Sequence, residues 1–340
     1  MPIITRSAAA VEGEDWQQIL AQAFRRPQEL LEYLNLPLSE MPERLQACRE
    51  FSMLVPRTYA ALMQSGDAAD PLLLQVLPQA TENEHKPGYI TDPLAEKDTN
   101  IQPGIIHKYR GRVLLLATSG CAVNCRYCFR RHFAYGENRI GRKQWAEALS
   151  YVAADTSISE VILSGGDPLL LQDDALQELV MLTEAIPHVR RLRIHSRLPV
   201  VIPQRLTPAL QSLLSNSRLQ VSMVLHINHP TELSDALRQP LQALRQNGIT
   251  LLNQAVLLRK VNDNLGILSD LSERLFEFGV LPYYLHLLDP VRGAHHFDLS
   301  EQEAVLLYRQ LLAELPGYLV PRLVREEAGK ANKSPINLDR

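Results

Sequence analysis

The chain has 340 residues, 46% of them hydrophobic, and carries 35 Lys plus Arg against 38 Asp plus Glu for a formal charge of -3. That length buries a large core and fits one barrel-sized domain with an N-terminal extension. With no long basic run there is no electrostatic footprint for nucleic acid, and no apolar run reaches the length needed to span a bilayer.

The opening stretch, MPIITRSAAAVEGEDWQ, has no apolar core of signal-peptide length and turns acidic early, so the cytoplasm is the expected compartment. Residues 1–105 read as a helical N-terminal extension of short helices and loops, punctuated at Pro87-Gly88, Asp92-Pro93 and Pro103-Gly104. Cys48, in LQACRE, reads as an ordinary helix residue.

From 106 to 317 the pattern becomes regular. Short apolar and β-branched runs at Val113 to Ala117, Val161 to Leu163, Leu192 to His195, Leu219 to Leu225, Ile249 to Val256 and Tyr283 to Leu287 predict six strands. Helices fall between them. Trp145, Leu149 and Val152 share one face, Thr207-Pro208 is a cap followed by a proline start, and Leu268, Leu271, Leu275 and Phe278 form a stripe ended by Gly279. Ser300 with Glu303 makes a capping box before a further helix. This alternation predicts an α/β fold, a parallel sheet with right-handed crossovers that is open or partly closed as a barrel. Residues 318–340 form a C-terminal segment, with a last extended run from Tyr318 to Val324 and then a polar tail.

Cys121, Cys125 and Cys128 are three of only four cysteines. At spacings of four and three they can give one small iron-sulfur cluster three thiolates and leave one iron open for a substrate or cofactor, whereas structural zinc closes its shell with four protein ligands. Zinc with His132 as fourth ligand, or buried inert thiols, are the other readings. A disulfide framework would leave an odd thiol. One strand later, Ser164-Gly165-Gly166-Asp167-Pro168 reads as a tight strand-to-helix turn or as a backbone that approaches a ligand closely. Both motifs follow predicted strands, which places them on the C-terminal face where such sheets carry their sites. Lysine is scarce: Lys86, Lys97, Lys108, Lys143, Lys260, Lys330 and Lys333 are all there are, so a lysine nucleophile has few candidates.

The cysteine spacing resembles the signature of radical S-adenosylmethionine (SAM) enzymes, in which the open iron of a 4Fe-4S cluster chelates SAM. A wider resemblance runs from about residue 85 to the end of the chain. HKYRGRVLLL at 107–116, CRYCFRRHF, SGGDPL, HINHP at 226–230, NQAVLLRKVNDN at 253–264, PYYLHLLDPVRGAHHF at 282–297 and Lys333-Ser334-Pro335 are similar to the lysine 2,3-aminomutase family. The resemblance implies a partial (β/α)6 barrel and an isomerase that converts L-lysine to β-lysine with a 4Fe-4S cluster, SAM and pyridoxal phosphate (PLP), its electron coming from a reductant such as flavodoxin or ferredoxin.

It also implies roles, position by position. Lys333, not Lys330, would hold PLP as a Schiff base. Lys108, Tyr109 and Arg112 match the stretch that contacts the PLP phosphate. Ser164, Gly165, Gly166 and Asp167 match the segment that binds the SAM amino group, and His226 and Gln254 are further cofactor contacts. Arg130 falls where an arginine clamps the substrate α-carboxylate. Asp289 falls where an aspartate receives the far ammonium of lysine, and Glu326 stands where the family has a second aspartate. On this reading the tail folds inward over the barrel mouth.

The departures carry information too. The chain ends seven residues after Lys333 and Asn264 replaces a cysteine of the longer members, so the structural zinc of those members is not expected. His286 stands where a tyrosine is common near the PLP ring. The short form, Glu326 and the KSP-NL ending resemble the bacterial branch that makes β-lysine for attachment to elongation factor P. A producer of a free β-amino acid is the rival reading, and a binding module with a structural metal site is a second class that would need neither the PLP lysine nor two pocket carboxylates.

Overall fold

A computed structural model describes residues 15–135 and 141–338; the reading of the first residues as lacking a leader falls almost wholly outside the described residues. Ten strands join in sequence order into one sheet: β1 (Asn100–Gln102), β2 (Ile105–Tyr109), β3 (Arg112–Thr118), β4 (Glu160–Gly165), β5 (Arg191–Ser196), β6 (Gln220–Leu225), β7 (Thr250–Val256), β8 (Leu281–His286), β9 (Arg322–Arg325) and β10 (Ser334–Pro335). From β3 to β9 every pairing is parallel, while β1, β2 and β10 add antiparallel edges. All six strands read from the sequence are present, with ends shifted by a residue or two.

The crossovers are the helices Arg142–Ala154, Asp173–Glu184, Pro208–Ser215, Asp235–Gln246, Leu265–Glu277 and Glu301–Glu314. Their starts follow local chemistry. The Thr207 hydroxyl accepts from Leu210 N at 3.1 Å, and Ser300 and Glu303 cap each other reciprocally. Asn264 accepts from Gly266 N at 2.9 Å, so this position caps a helix. Gly279 ends that helix at φ +75°, a conformation a side chain would strain.

Two local expectations need correction. The run from Tyr318 to Val324 is not one extended segment: Gly317–Leu319 is a 3-10 turn, because Pro316 and Gly317 favour a turn, and β9 begins only at Arg322. The extension is also not purely helical at its end. Asn100–Gln102 and Ile105–Tyr109 form a hairpin whose turn uses Gly104 at φ +83°.

β5 shows how the sheet divides inside from outside. Leu192, Ile194 and Ser196 are buried on one face, while Arg191, Arg193 and His195 alternate onto the other. One buried apolar cluster runs from Trp16 through the crossover helices to Leu323, so extension and barrel share a core. The sheet curves round its polar face. The charge of Lys333, just before β10, bears on His195 of β5, on His226 beyond β6 and on His286 of β8, which puts all four around one interior.

Candidate active site

The first half of the interior is built where β3 and β4 end. Gly165, at φ +125°, and Gly166 lie so near the cysteine loop that an added Cβ would meet Thr118 O at 2.3 Å and Gly120 O at 1.8 Å respectively. The close approach that needs glycine is thus between two loops of the chain itself, sealed by Gly166 N to Thr118 O at 2.9 Å and Asp167 N to Gly120 O at 2.7 Å. The Asp167 carboxylate is a brace to the next loop. It accepts from Ser196 Oγ at 2.7 Å, from Arg197 N and Leu198 N at 2.8 Å each, and from Leu169 N at 3.1 Å.

Cys121, Cys125 and Cys128 are free thiols. Burial and the neighbouring thiols push the Cys121 thiol well above its ordinary pKa and that of Cys128 up to about 11. The thiols feel one another's charge, and a cationic centre among them would offset that repulsion and favour their anionic form, which fits an iron-sulfur cluster. The His132 ring is taken up elsewhere, its Nε2 lying 3.1 Å from Arg292 O. Among the described residues, no three His, Cys, Asp or Glu side chains are arranged to hold a single metal ion. Cys48 belongs to the helix Met41–Glu50 of the extension.

The other half is a chain of ion pairs. Arg130 grips Glu96 with Nε at 2.7 Å and Nη2 at 2.8 Å, and its Nη1 donates to Ser164 Oγ at 3.1 Å. Lys108 bridges Glu96 at 3.0 Å and Glu326 at 2.9 Å, and Lys333 reaches Glu326 at 2.6 Å. These cations hold the Glu326 carboxyl well below its ordinary range despite burial. Asp289 is the exception. Its Oδ1 is buried without a partner among the described residues, and burial, with the Glu326 charge, pushes its pKa up to about 7. Three cations and three carboxylates therefore meet here with one carboxyl disposed to stay protonated.

Two lysines that composition could not separate are separated by the fold. Lys330 lies exposed in a turn, whereas Lys333 points inward with its Nζ 5.8 Å from the centre of the Tyr284 ring. The tail is fixed by β10, where Ser334 pairs with Arg325 and Pro335 with Val324, and by Ile336 N to Leu323 O at 3.2 Å. Tyr109, on β2, is raised in pKa by burial and by Glu326, and Arg112 on β3 stacks over its ring at 4.6 Å. Gln254 Nε2 lies 2.9 Å from His226 Nε2, and burial and nearby cations push the His226 pKa down to about 3. His286 is buried, its Nε2 has no partner among the described residues, and burial first and Lys333 second hold it well below its ordinary pKa.

This lining fits PLP: an inward lysine amine, Arg112 and Lys108 to face a phosphate, and buried polar atoms on His286 and Asp289 that lack partners among the described residues. Glu82, Glu96, Arg197 and Glu232 were not read from the sequence as site residues. In the sequence these buried charges look like any solvated ones, and the arginine–glutamate pairs they form join residues 34 or more positions apart.

Residues 109–190 match the 4Fe-4S single cluster domain family. The chain is 49% identical to an L-lysine 2,3-aminomutase of Haemophilus influenzae over 98% of its own length and 99% of the relative's, and 50% identical to one of Escherichia coli over 96% and 95%. An L-lysine 2,3-aminomutase of Clostridium subterminale is 32% identical over 97% of this chain and 80% of its own. A solved radical SAM methyltransferase of Sphaerobacter thermophilus is similar at TM-score 0.46 and 17% identity, over 65% of this chain and 68% of that one.

Proposed function

This chain belongs to the lysine 2,3-aminomutase family of radical SAM enzymes, and from that premise we propose that it is an isomerase moving the α-amino group of L-lysine to the β-carbon, with a 4Fe-4S cluster on Cys121, Cys125 and Cys128, SAM, and PLP on Lys333. The observation that carries this reading is one inward lysine paired with Glu326 at 2.6 Å in the same interior as Asp289, whose Oδ1 has no partner among the described residues. When bound, the reduced cluster and SAM supply a hydrogen-abstracting radical, and PLP supplies the conjugated system through which nitrogen migrates.

The chain's own residues then bind, orient and exclude water. Arg130 offers a guanidinium to the substrate α-carboxylate, a geometry that suits a forked donor. Asp289 and Glu326 take the far ammonium of lysine, which a low-dielectric pocket admits only with anionic partners. Glu326 stays paired with Lys333 at 2.6 Å until a ligand draws it off, and the neutral His286, His226 and His195 add no competing positive charge. Within these bounds (1–105, 106–317 and 318–340), the described residues of the first segment close the cysteine side, those of the second form the barrel, and those of the third deliver Lys333 and Glu326.

The finer reading is that the β-lysine formed is attached to elongation factor P in the cytoplasm, with flavodoxin or ferredoxin as electron donor; Glu326 and the Lys333-Ser334-Pro335 motif support it. Among the described residues no helix is long and apolar enough to cross a membrane. Anaerobic incubation with SAM, PLP, reductant and L-lysine, followed by chromatography, tests the activity: β-lysine is expected, and its absence from a fully loaded chain overturns the assignment. The mass of elongation factor P in cells lacking this chain tests the finer step. An unchanged mass, with free β-lysine lost, would favour the free-metabolite route.

A further inference from the structure

Arg197, just beyond β5, is a buried cation with five side-chain contacts. Nη1 donates to Cys125 Sγ at 2.7 Å and to the Tyr127 hydroxyl at 2.5 Å, and Nη2 donates to the Tyr59 hydroxyl at 3.0 Å, Gln75 Oε1 at 2.8 Å and Glu232 Oε2 at 3.0 Å. Its main-chain N is fixed on Asp167. Glu232 is itself held by three donors to its other oxygen. The guanidinium is therefore gripped by the extension, the cysteine loop and the loop beyond β6, and has little freedom to turn away from the sulfur. A purely architectural ion pair would be satisfied by Glu232 alone and has no need of a donor on a thiol.

We propose that Arg197 tunes the reduction potential of the cluster by holding an N–H···S bond and a buried positive charge on the sulfur of Cys125. The Sγ here stands for the thiolate ligand of the cluster, and the inference rests on the cluster assignment above. Reduction adds one negative charge, so a fixed cation and a hydrogen bond at a ligand sulfur favour the reduced state, and the low local dielectric strengthens both effects. Arg197 is a positioning residue: it acts through Cys125.

The test is anaerobic reconstitution of the parent chain and of Arg197→Gln, Arg197→Lys and Glu232→Gln, with iron counted and the reduced cluster's paramagnetic signal titrated against potential. With parent-like iron, Arg197→Gln is expected to lower the ratio of reduced to oxidised cluster at fixed potential by about tenfold, a midpoint about 59 mV more negative for a one-electron couple. Arg197→Lys keeps the charge but not the fork and is expected to shift less. Glu232→Gln removes the anion behind the guanidinium and is expected to shift the midpoint the opposite way. A parent-like midpoint in Arg197→Gln overturns the proposal, as do shifts of one sign in Arg197→Gln and Glu232→Gln, which would assign the network to packing. If Arg197→Gln does not fold, the order and sign of the other two decide. Failure of the parent chain itself to hold iron strikes the cluster assignment instead.

Discussion

The sulfur end and the amine end of the barrel interior solve the problem of buried charge in different ways. Around the cysteines the charges are braced by the chain. Glu82 takes Arg126 at 2.6 Å and Arg131 at 2.7 Å, Asp167 is saturated by four donors, and Arg197 spans three loops. At the tail the partners hold one another: Lys333 and Lys108 share Glu326, and Asp289 has an oxygen with no partner among the described residues. The first arrangement is prebuilt and has no reason to change when a cluster enters. The second is an exchange, in which an incoming ammonium, carboxylate or phosphate replaces an internal counter-ion, so burial is offset before and after binding.

Breaking the prebuilt side has the largest expected effect. Cys125→Ala is expected to lose the cluster and all aminomutase activity, because two thiolates cannot replace three, while Cys48→Ala keeps both; iron counting after anaerobic reconstitution reads the difference. Retained iron and activity in Cys125→Ala would end the assignment. Next comes the exchange side. Borohydride reduction of the PLP-loaded chain followed by peptide mapping is expected to place the pyridoxyl group on Lys333, and Lys333→Ala to abolish both label and turnover. Lys330→Ala is expected to keep both, since that side chain faces solvent. Label on Lys330 would overturn the docked-tail arrangement as well.

The same contrast explains what the sequence could reveal. The six parallel strands were legible because β-branched and apolar runs of strand length carry no competing helical period, whether buried on both faces like Val161-Ile162-Leu163 or alternating with polar residues like Leu192 and Ile194. Thr207, Ser300 and Gly279 were legible because caps act within a few residues. β1 and β10 were not: Asn100-Ile101-Gln102 and Ser334-Pro335 are short edges held by a neighbour rather than by their own pattern. The cysteine loop and the inward tail could be read through resemblance, since spacing and the Lys-Ser-Pro order survive in one dimension. Glu96 and Glu232 could not, because a carboxylate becomes a buried partner only when the fold brings Arg130 or Arg197 to it. The glycines of SGGDPL were read as a tight turn or as a backbone approaching a ligand; the approach the fold shows is to the Thr118 to Gly120 backbone, a tertiary fact.

Asp289 sharpens the comparison through pH. Its pKa, raised from 3.8 to about 7 by burial and by Glu326, means that the folded chain binds this proton more firmly than the unfolded chain does. The sign follows: below about pH 4 the group costs nothing, and stability is lost as pH rises from there through 7, after which the deficit is constant. Asp289→Asn has no proton to lose. In the ligand-free chain it is expected to be stabilised relative to the parent by an amount that grows between pH 4 and 7 and reaches at most about 4 kcal/mol. Denaturant titrations at pH 5 and 7.5 read this directly, and an equal difference at the two pH values would remove the strained carboxyl from the account.

The same variant is expected to lose what it gains. An amide is as large as the carboxyl and hydrogen-bonds as well, but it brings no charge to meet the far ammonium of lysine, leaving Glu326 to face that cation while Lys108 still competes for it. Losing one charge-assisted contact costs on the order of 1.5 to 3 kcal/mol, so lysine turnover in Asp289→Asn should fall at least roughly tenfold. The loss should appear mainly in kcat/KM, because the ammonium is bound in ground and transition states alike. PLP labelling on Lys333 should be unaffected, which separates a substrate defect from a collapsed tail. Parent-like kinetics on lysine would show that Glu326 alone suffices, and Asp289 would then be a buried acid whose cost in stability has no return in binding.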